Sequence, residues 1–467
     1  MTLKQLFAPS DMTTGAPWEK IAVFTVPMLL GNIAQQLYNT VDTIVVGRYV
    51  GDNALSAVGS ASPILNLLLV LFIGISTGAT VMVSQYFGAK DREKLSRAVG
   101  NCITLTGLAS LIIMAAGPFI TRPLLELLHT PATIIDWCAS YLNILILGVA
   151  GVAFYNILCG VLRGLGDSMS ALLYLLVATV LNIGLDIWFV AGFNMGVAGV
   201  ALATAIAQGV SALLCVWKLL RMRDVFELKP HHLLPKRQFA GNIVRLGLPS
   251  GVTQAIFSMA MIVVQSLTNS FGEMVIAANV IIMRVDGFAM MPNFSFGTAM
   301  TTFTGQNVGA GKLDRVHQGT RQGTLMAVGF SAVITVLILL FGPNLMRIFT
   351  QTTALVELSA NMMRVLAVGY LAMAVTQSLS GVMRGAGDTM TPMWISLITT
   401  VAVRVPLAYG LAYLTRSPQH PGGHYACIWI SLLSSWVLGA LITAVLFRKG
   451  SWRQKADLLC GPGAASS

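Results

Sequence analysis

Residues 163–169 read Arg163-Gly164-Leu165-Gly166-Asp167-Ser168-Met169, and residues 384–390 read Arg384-Gly385-Ala386-Gly387-Asp388-Thr389-Met390, 221 positions later. At the same spacing Gln85-Tyr86-Phe87-Gly88-Ala89 is answered by Gln306-Asn307-Val308-Gly309-Ala310, and Pro27 is answered by Pro249 at 222. Two matches at 221 and a third one residue longer along 467 residues mark a duplicated unit. What the unit consists of is read from the apolar stretches around these motifs.

A helix crossing a bilayer needs about 20 mostly apolar residues. Twelve stretches meet this, at about 19–47, 54–86, 95–120, 133–161, 168–193, 196–220, 242–270, 275–306, 316–342, 357–383, 390–415 and 424–447. Each copy therefore holds six. Six is even, so both copies enter the membrane in the same orientation, as parallel repeats related by an axis along the membrane normal. That is one of the two internal symmetries of secondary transporters. The expectation is an all-α polytopic membrane protein of twelve transmembrane helices: an N-lobe over 1–220, a cytoplasmic linker over 221–241 and a C-lobe over 242–467, ending in a short cytoplasmic tail. The first stretch is too long, and too rich in Gln and Asn, for the core of a cleaved signal peptide.

Charge supports this division. Only 10% of residues are charged and 55% are apolar, whereas a soluble domain carries roughly 25% charged residues. That excludes a soluble multidomain protein and a disordered one. The net charge of +11 is explained by position. With the termini and the loops after even-numbered helices on one side, 22 of the 29 Lys and Arg lie there, 4 lie opposite and 3 lie within spans. The positive-inside rule then puts both termini in the cytoplasm of a multi-pass plasma-membrane protein, the inner membrane in a Gram-negative cell. Nucleic acid is not an expected partner; the lipid bilayer is. The six cysteines show no CxxC or CxxH spacing, and there is no Walker A, HExxH or GxSxG sequence. Neither a zinc site, direct ATP-driven transport nor an enzyme is expected.

Of 18 carboxylates only Asp42, Asp186 and Asp286 lie deep in spans, where an ionisable group is costly and marks function by default. Gln35, Asn39 and Asp42 share one face of helix 1 by spacings of 4 and 3, Asn182 and Asp186 are four apart in helix 5, and Thr204 and Gln208 are four apart in helix 6. Tyr141 and Asn156 lie in helix 4. If these faces converge, two close carboxylates share a proton, or with Asn and Thr oxygens hold Na+, a hard cation. The alternative is that they bridge helices by hydrogen bonds. The repeat spacing puts Val264 opposite Asp42 and Leu407 opposite Asp186, so the acidic site belongs to one copy. The other copy offers Gln254, Gln265, Asn279, Asp286 and Met290 as cavity candidates. Asp286 is either a contact for a cationic ligand or the partner of Arg284 or Arg404, with Arg404 the better placed. Pro27 and Pro249 interrupt the backbone ladder in the first helix of each copy.

Twelve helices in two parallel sixes, Pro27, the Val41-Asp42-Thr43-Ile44-Val45-Val46-Gly47 run and the two repeated motifs resemble the multidrug and toxic compound extrusion (MATE) family over essentially the whole chain. Asn182, Asp186 and Thr204 resemble the branch whose cation site lies in the N-terminal half; the other branch carries a glutamate near Gln254. The resemblance implies a monomeric antiporter that exports small organic, cationic and lipophilic compounds in exchange for H+ or Na+ by alternating access. It implies a cation site at Asp42, Asn182, Asp186 and Thr204, with no metal beyond Na+ there and no cofactor. Tyr141 and Asn156 would line the N-lobe, and Pro27 would bend helix 1. A lipid-linked oligosaccharide flippase of related architecture is the competing reading.

Overall fold

The computed structural model describes residues 7–127, 130–417 and 422–460. Ten helices are long and apolar enough to cross a membrane, and two bent helix pairs raise the number of spans to as many as twelve. In chain order the helices are α1 (Pro17–Val45), α2 (Asp52–Gly88), α3 (Arg92–Leu127), α4 (Ile135–Leu147), α5 (Val149–Gly164), α6 (Ser168–Asp186) and α7 (Gly196–Arg221). After the single turn α8 (Pro230–Leu233) come α9 (Arg237–Asn269), α10 (Glu273–Gly309), α11 (Leu313–Arg347), α12 (Thr353–Ala367), α13 (Gly369–Gly385), α14 (Met390–Leu397), α15 (Val405–Leu414), α16 (Cys427–Lys449) and α17 (Ser451–Cys460). The apolar stretches expected at 133–161 and 357–383 are each broken, α4 meeting α5 at 52° and α12 meeting α13 at 43°. A hydropathy window averages across such a break and does not register it.

Residues 1–11 and 26–251 form one compact unit, and residues 12–25 and 252–467 the other. The units part elsewhere than the linker expected at 221–241. In the first unit, residues 223–239 are strapped to α3. The Lys236 N–H donates to Asn101 Oδ1 (2.9 Å), Thr104 Oγ1 donates to the Leu233 carbonyl (2.6 Å), and the Glu227 N–H donates to Ser96 Oγ (3.2 Å). In the second unit, Met12 plays the same part. Its N–H donates to Gln306 Oε1 (2.9 Å), while Asn307 Nδ2 (3.2 Å) and Arg315 Nε (3.1 Å) donate to its carbonyl. Pro27 and Pro249 lie inside unbroken helices, each within a few residues of the point where the chain passes from one unit to the other.

Each unit is built around one tight helix pair. In α5 a Cβ on Gly160 would stand 2.5 Å from Ser76 Oγ, and one on Gly164 would stand 2.8 Å from the Thr80 carbonyl oxygen of α2. In α13 a Cβ on Gly381 would stand 2.3 Å from the Gly297 carbonyl oxygen, and one on Gly385 would stand 2.4 Å from that of Thr301 in α10. These are the same glycines 221 residues apart, the small-xxx-small pattern that lets helix backbones touch.

The heptapeptide that revealed the repeat makes the same glycine turn in both units. Gly166 (φ +81°) and Gly387 (φ +88°) take the left-handed conformation that glycine adopts without a Cβ penalty. Asp167 then accepts from the Ser170 N–H (2.9 Å) and hydroxyl (2.7 Å), and Asp388 accepts from the Thr391 N–H (3.3 Å) and hydroxyl (2.7 Å). A lysine attends each carboxylate, Lys218 at 3.8 Å from Asp167 and Lys455 at 2.6 Å from Asp388. Burial pushes the Asp167 carboxyl up from its ordinary range, against the opposing pull of Ser170 and Lys218. Asp167 is the cap of α6, and Asp388 makes the equivalent contacts from one residue before the cap of α14.

Candidate functional site

In the first unit, α1 carries Tyr38 and Asp42 one turn apart, α6 carries Asn182 and Asp186, and α7 carries Thr204 and Gln208. Both aspartate helices widen into π geometry close to their carboxylates, over Ile187–Gly192 directly after Asp186 and over Val46–Val50 after Asp42. π turns of this kind recur at functional sites. Asp186 and Asn182 are fully buried.

The Tyr38 hydroxyl donates to Thr204 Oγ1 (3.3 Å), and Asn182 Nδ2 donates to the same oxygen (3.4 Å). The Asp42 and Asp186 carboxylates act on each other electrostatically, and both act on the Tyr38 hydroxyl. Tyr141 lies in the electrostatic field of both carboxylates. Asp42 Oδ1, both carboxylate oxygens of Asp186, Asn182 Oδ1 and Gln208 Oε1 are buried without a donor among the described residues. All five are acceptors. Buried acceptors demand partners, and a carboxylate pair needs a positive particle between its members. The donor set is all oxygen, which fits a proton or a hard cation.

Of the residues the sequence singles out, Asp42, Asn182, Asp186, Thr204, Gln208 and Tyr141 are brought together. Gln35 and Asn39 bond each other (3.4 Å) on a more exposed part of α1. Half-buried Asn156 donates its amide to the Val152 carbonyl of its own helix (2.8 Å). Sequence reasoning missed Tyr38. Its spacing of four from Asp42 was the available signal, but tyrosine reads as ordinary core.

The second unit arranges its polar groups differently. The Tyr370 hydroxyl donates to Asp286 Oδ1 (2.8 Å), and the Arg404 guanidinium acts on Asp286 electrostatically. Arg404, rather than the exposed Arg284, is thus the cation near Asp286. Asn293 braces Tyr370, donating to its carbonyl (3.4 Å) while accepting from Ser331 (2.8 Å). Gln265 links Asn269 (2.8 Å) to Asn279 (3.3 Å). Gln254 is exposed, and Met290 packs in the apolar core rather than on an open surface.

One further cluster could hold a metal by composition, since ligand atoms of Glu93, His231 and His232 lie within 4.8 Å of one another. His232 Nδ1 accepts the Lys229 N–H (3.1 Å), which leaves the ring proton on Nε2, facing Glu93 Oε2 (3.2 Å). With neither ring nitrogen offering a free lone pair, this is a hydrogen-bonded clasp on the strap.

The MatE family model matches the chain twice, over residues 27–188 and 249–410. Among relatives, the "Probable multidrug resistance protein YoeA" of Bacillus subtilis is 29% identical over 406 residues, covering 85% of this chain and 88% of that protein. The "Probable multidrug resistance protein NorM" of Thermotoga maritima is 25% identical over 94% of both. A solved structure, described as the outward-facing conformation of a multidrug resistance MATE family transporter, has a TM-score of 0.88 at 23% identity, over 96% of this chain and 99% of that chain. That likeness establishes the fold. The two family matches repeat at the 222-residue spacing of Pro27 and Pro249, cover more than half of the sequence, and leave one conclusion: the chain is a multi-pass membrane protein of the MATE family.

Proposed function

We propose that this protein is a secondary active antiporter, moving small organic compounds, cationic and lipophilic ones above all, out of the cell in exchange for H+ or Na+. The observation that carries the reading is the set of five buried oxygens without donors around Asp42 and Asp186. A cation entering there supplies what they lack and stabilises whichever conformation holds them closest; an ion shifts an equilibrium only by its differential affinity for the two states. Asp42, Asn182, Asp186 and Thr204 form the ion site in this reading, with Tyr38 holding Thr204 in place. Multidrug resistance in the names of full-length relatives supports the substrate class. The charge asymmetry of the loops supports a cytoplasmic placement of both termini.

Pro27 acts as the hinge of α1, since it removes a backbone hydrogen bond close to where the helix changes units. Pro27→Ala is expected to slow turnover several-fold with little change in KM; unchanged turnover makes the proline architectural. The direct test of the function uses purified protein in lipid vesicles, a fluorescent organic cation, and Na+ and pH gradients imposed separately. Uptake driven by one gradient and not by its absence supports the reading, and uptake indifferent to both overturns it.

A further inference from the structure

Cys159 of α5 and Cys215 of α7 make the one thiol–thiol contact among the described residues, Sγ to Sγ 4.0 Å. Neither the glycine turns nor the ion site uses this pair. The two helices meet backbone to backbone about two turns before it, where a Cβ on Gly151 would stand 2.8 Å from the Gly209 nitrogen. So close an approach holds facing residues near the Cα spacing that a disulfide spans, and the S–S bond itself is about 2.0 Å long. Rotation of the two side chains about χ1 covers the remaining gap.

The surroundings set the pair apart from ordinary core cysteines, which pack as small apolar groups. Arg163 stands one turn after Cys159 on the same helix face. It acts on Cys159 electrostatically, while its guanidinium donates to Ser76 Oγ (3.2 Å). A neighbouring guanidinium favours the thiolate, the form that attacks an oxidant. Cys159 is 3% exposed and Cys215 0%, which shuts out charged and bulky thiols such as glutathione and admits only small uncharged reagents. The second unit lacks the pair, since Ser380 stands 221 residues after Cys159.

We propose that Cys159 and Cys215 form a modification site for hydroperoxides, closing to a disulfide that staples α5 to α7. The Cys159 thiolate attacks the terminal peroxide oxygen and the O–O bond breaks. The sulfur becomes a sulfenic acid, and the alkoxide takes up the thiol's proton and leaves as an alcohol. The Cys215 thiol then attacks that sulfur, the S–S bond forms and the hydroxyl departs as water. Two thiols give up two electrons and two protons, and one hydroperoxide becomes one alcohol and one water. The staple ties down α7, the helix that also carries Thr204 and Gln208.

The test exposes the reduced, detergent-purified full chain to tert-butyl hydroperoxide, quenches it in acid and counts the alkylatable cysteines after unfolding. The sequence has six. Oxidised wild type is expected to show two fewer, with Cys159 and Cys215 joined in one cross-linked peptide pair, and dithiothreitol should restore all six. In Cys215→Ser the sulfenic acid has no second thiol to meet, so dimedone should collect on Cys159. In Cys159→Ser the count should not fall on oxidation. A full count in oxidised wild type, a link to any other cysteine, or oxygen added at Cys159 without a cross-link overturns the proposal. The wild-type cross-link decides even if neither serine variant folds by size-exclusion chromatography. No readout uses a substrate or an ion gradient, so a failure of gradient-driven uptake would sink the antiport reading while leaving this test intact.

Discussion

The two units share their joints and differ in their interiors. Both pack α2 or α10 against a glycine-faced partner, both turn at a left-handed glycine, and both brace the start of the next helix with an aspartate. At mid-helix the likeness ends. The first unit sets Asp42 near Asp186 and leaves five oxygens without donors among the described residues, whereas the second ties its mid-span Asp286 to Tyr370 and sets an arginine nearby. A backbone contact at 2.3–2.8 Å from a missing Cβ admits no side chain, so duplication preserved it. A pocket side chain is free to change without disturbing the packing, and there the copies diverged. Under the proposed function, the ion site belongs to the first copy alone.

That contrast can be broken in three places. The largest effect is expected at the acids: Asp42→Asn and Asp186→Asn should each cut gradient-driven efflux at least ~100-fold, about 2.7 kcal/mol, with the protein still eluting as a folded species. If either variant couples normally in vesicles, the first unit is not the ion site and the contrast loses its functional meaning. Next come the shared joints. Gly160→Ala and Gly381→Ala should each cost about 1–3 kcal/mol by overpacking, seen as similar drops in Tm; a silent Gly381→Ala would mean that the second helix pair is looser than the first. The smallest effect belongs to Tyr38→Phe, which removes one hydrogen bond to Thr204 worth about 0.5–1.5 kcal/mol. It should weaken ion affinity two- to tenfold in an ion-titrated transport assay, and no change would make Tyr38 a packing residue only.

The sequence made the duplication and the acid pair legible for physical reasons. Carboxylates are rare in bilayer spans, and a spacing of four puts Asn182 and Asp186 on one face whatever the tertiary structure. Tyr38 stayed hidden because its ring satisfies the same apolar pattern as its neighbours, and only the hydroxyl's contact with Thr204, 166 residues away, gives it a role. The bond of the Asn156 amide to the Val152 carbonyl of its own helix is likewise invisible in the sequence, where a polar residue in a span reads only as a functional candidate. The pairing of Tyr370 with Asp286 and the breaks in α4–α5 and α12–α13 depend on packing between distant segments, and hydropathy carries no record of it. Nor does hydropathy tell on which unit the first turns of α1 pack.

The strap at Met12 has a consequence for how the molecule is made. Its partner Gln306 lies 294 residues downstream, so at a synthesis rate of ~5–20 residues per second the leading segment waits on the order of 15–60 s for its docking site to leave the ribosome. The strap of the first unit, residues 223–239 on α3, has no such delay, because α3 has already been made when it emerges. Biogenesis therefore closes one unit early and the other only when chain growth is well into its second half. In that interval Met12 and the first turns of α1 have no place of their own to pack, and this is the stage at which a stalled or truncated chain is most exposed to quality control.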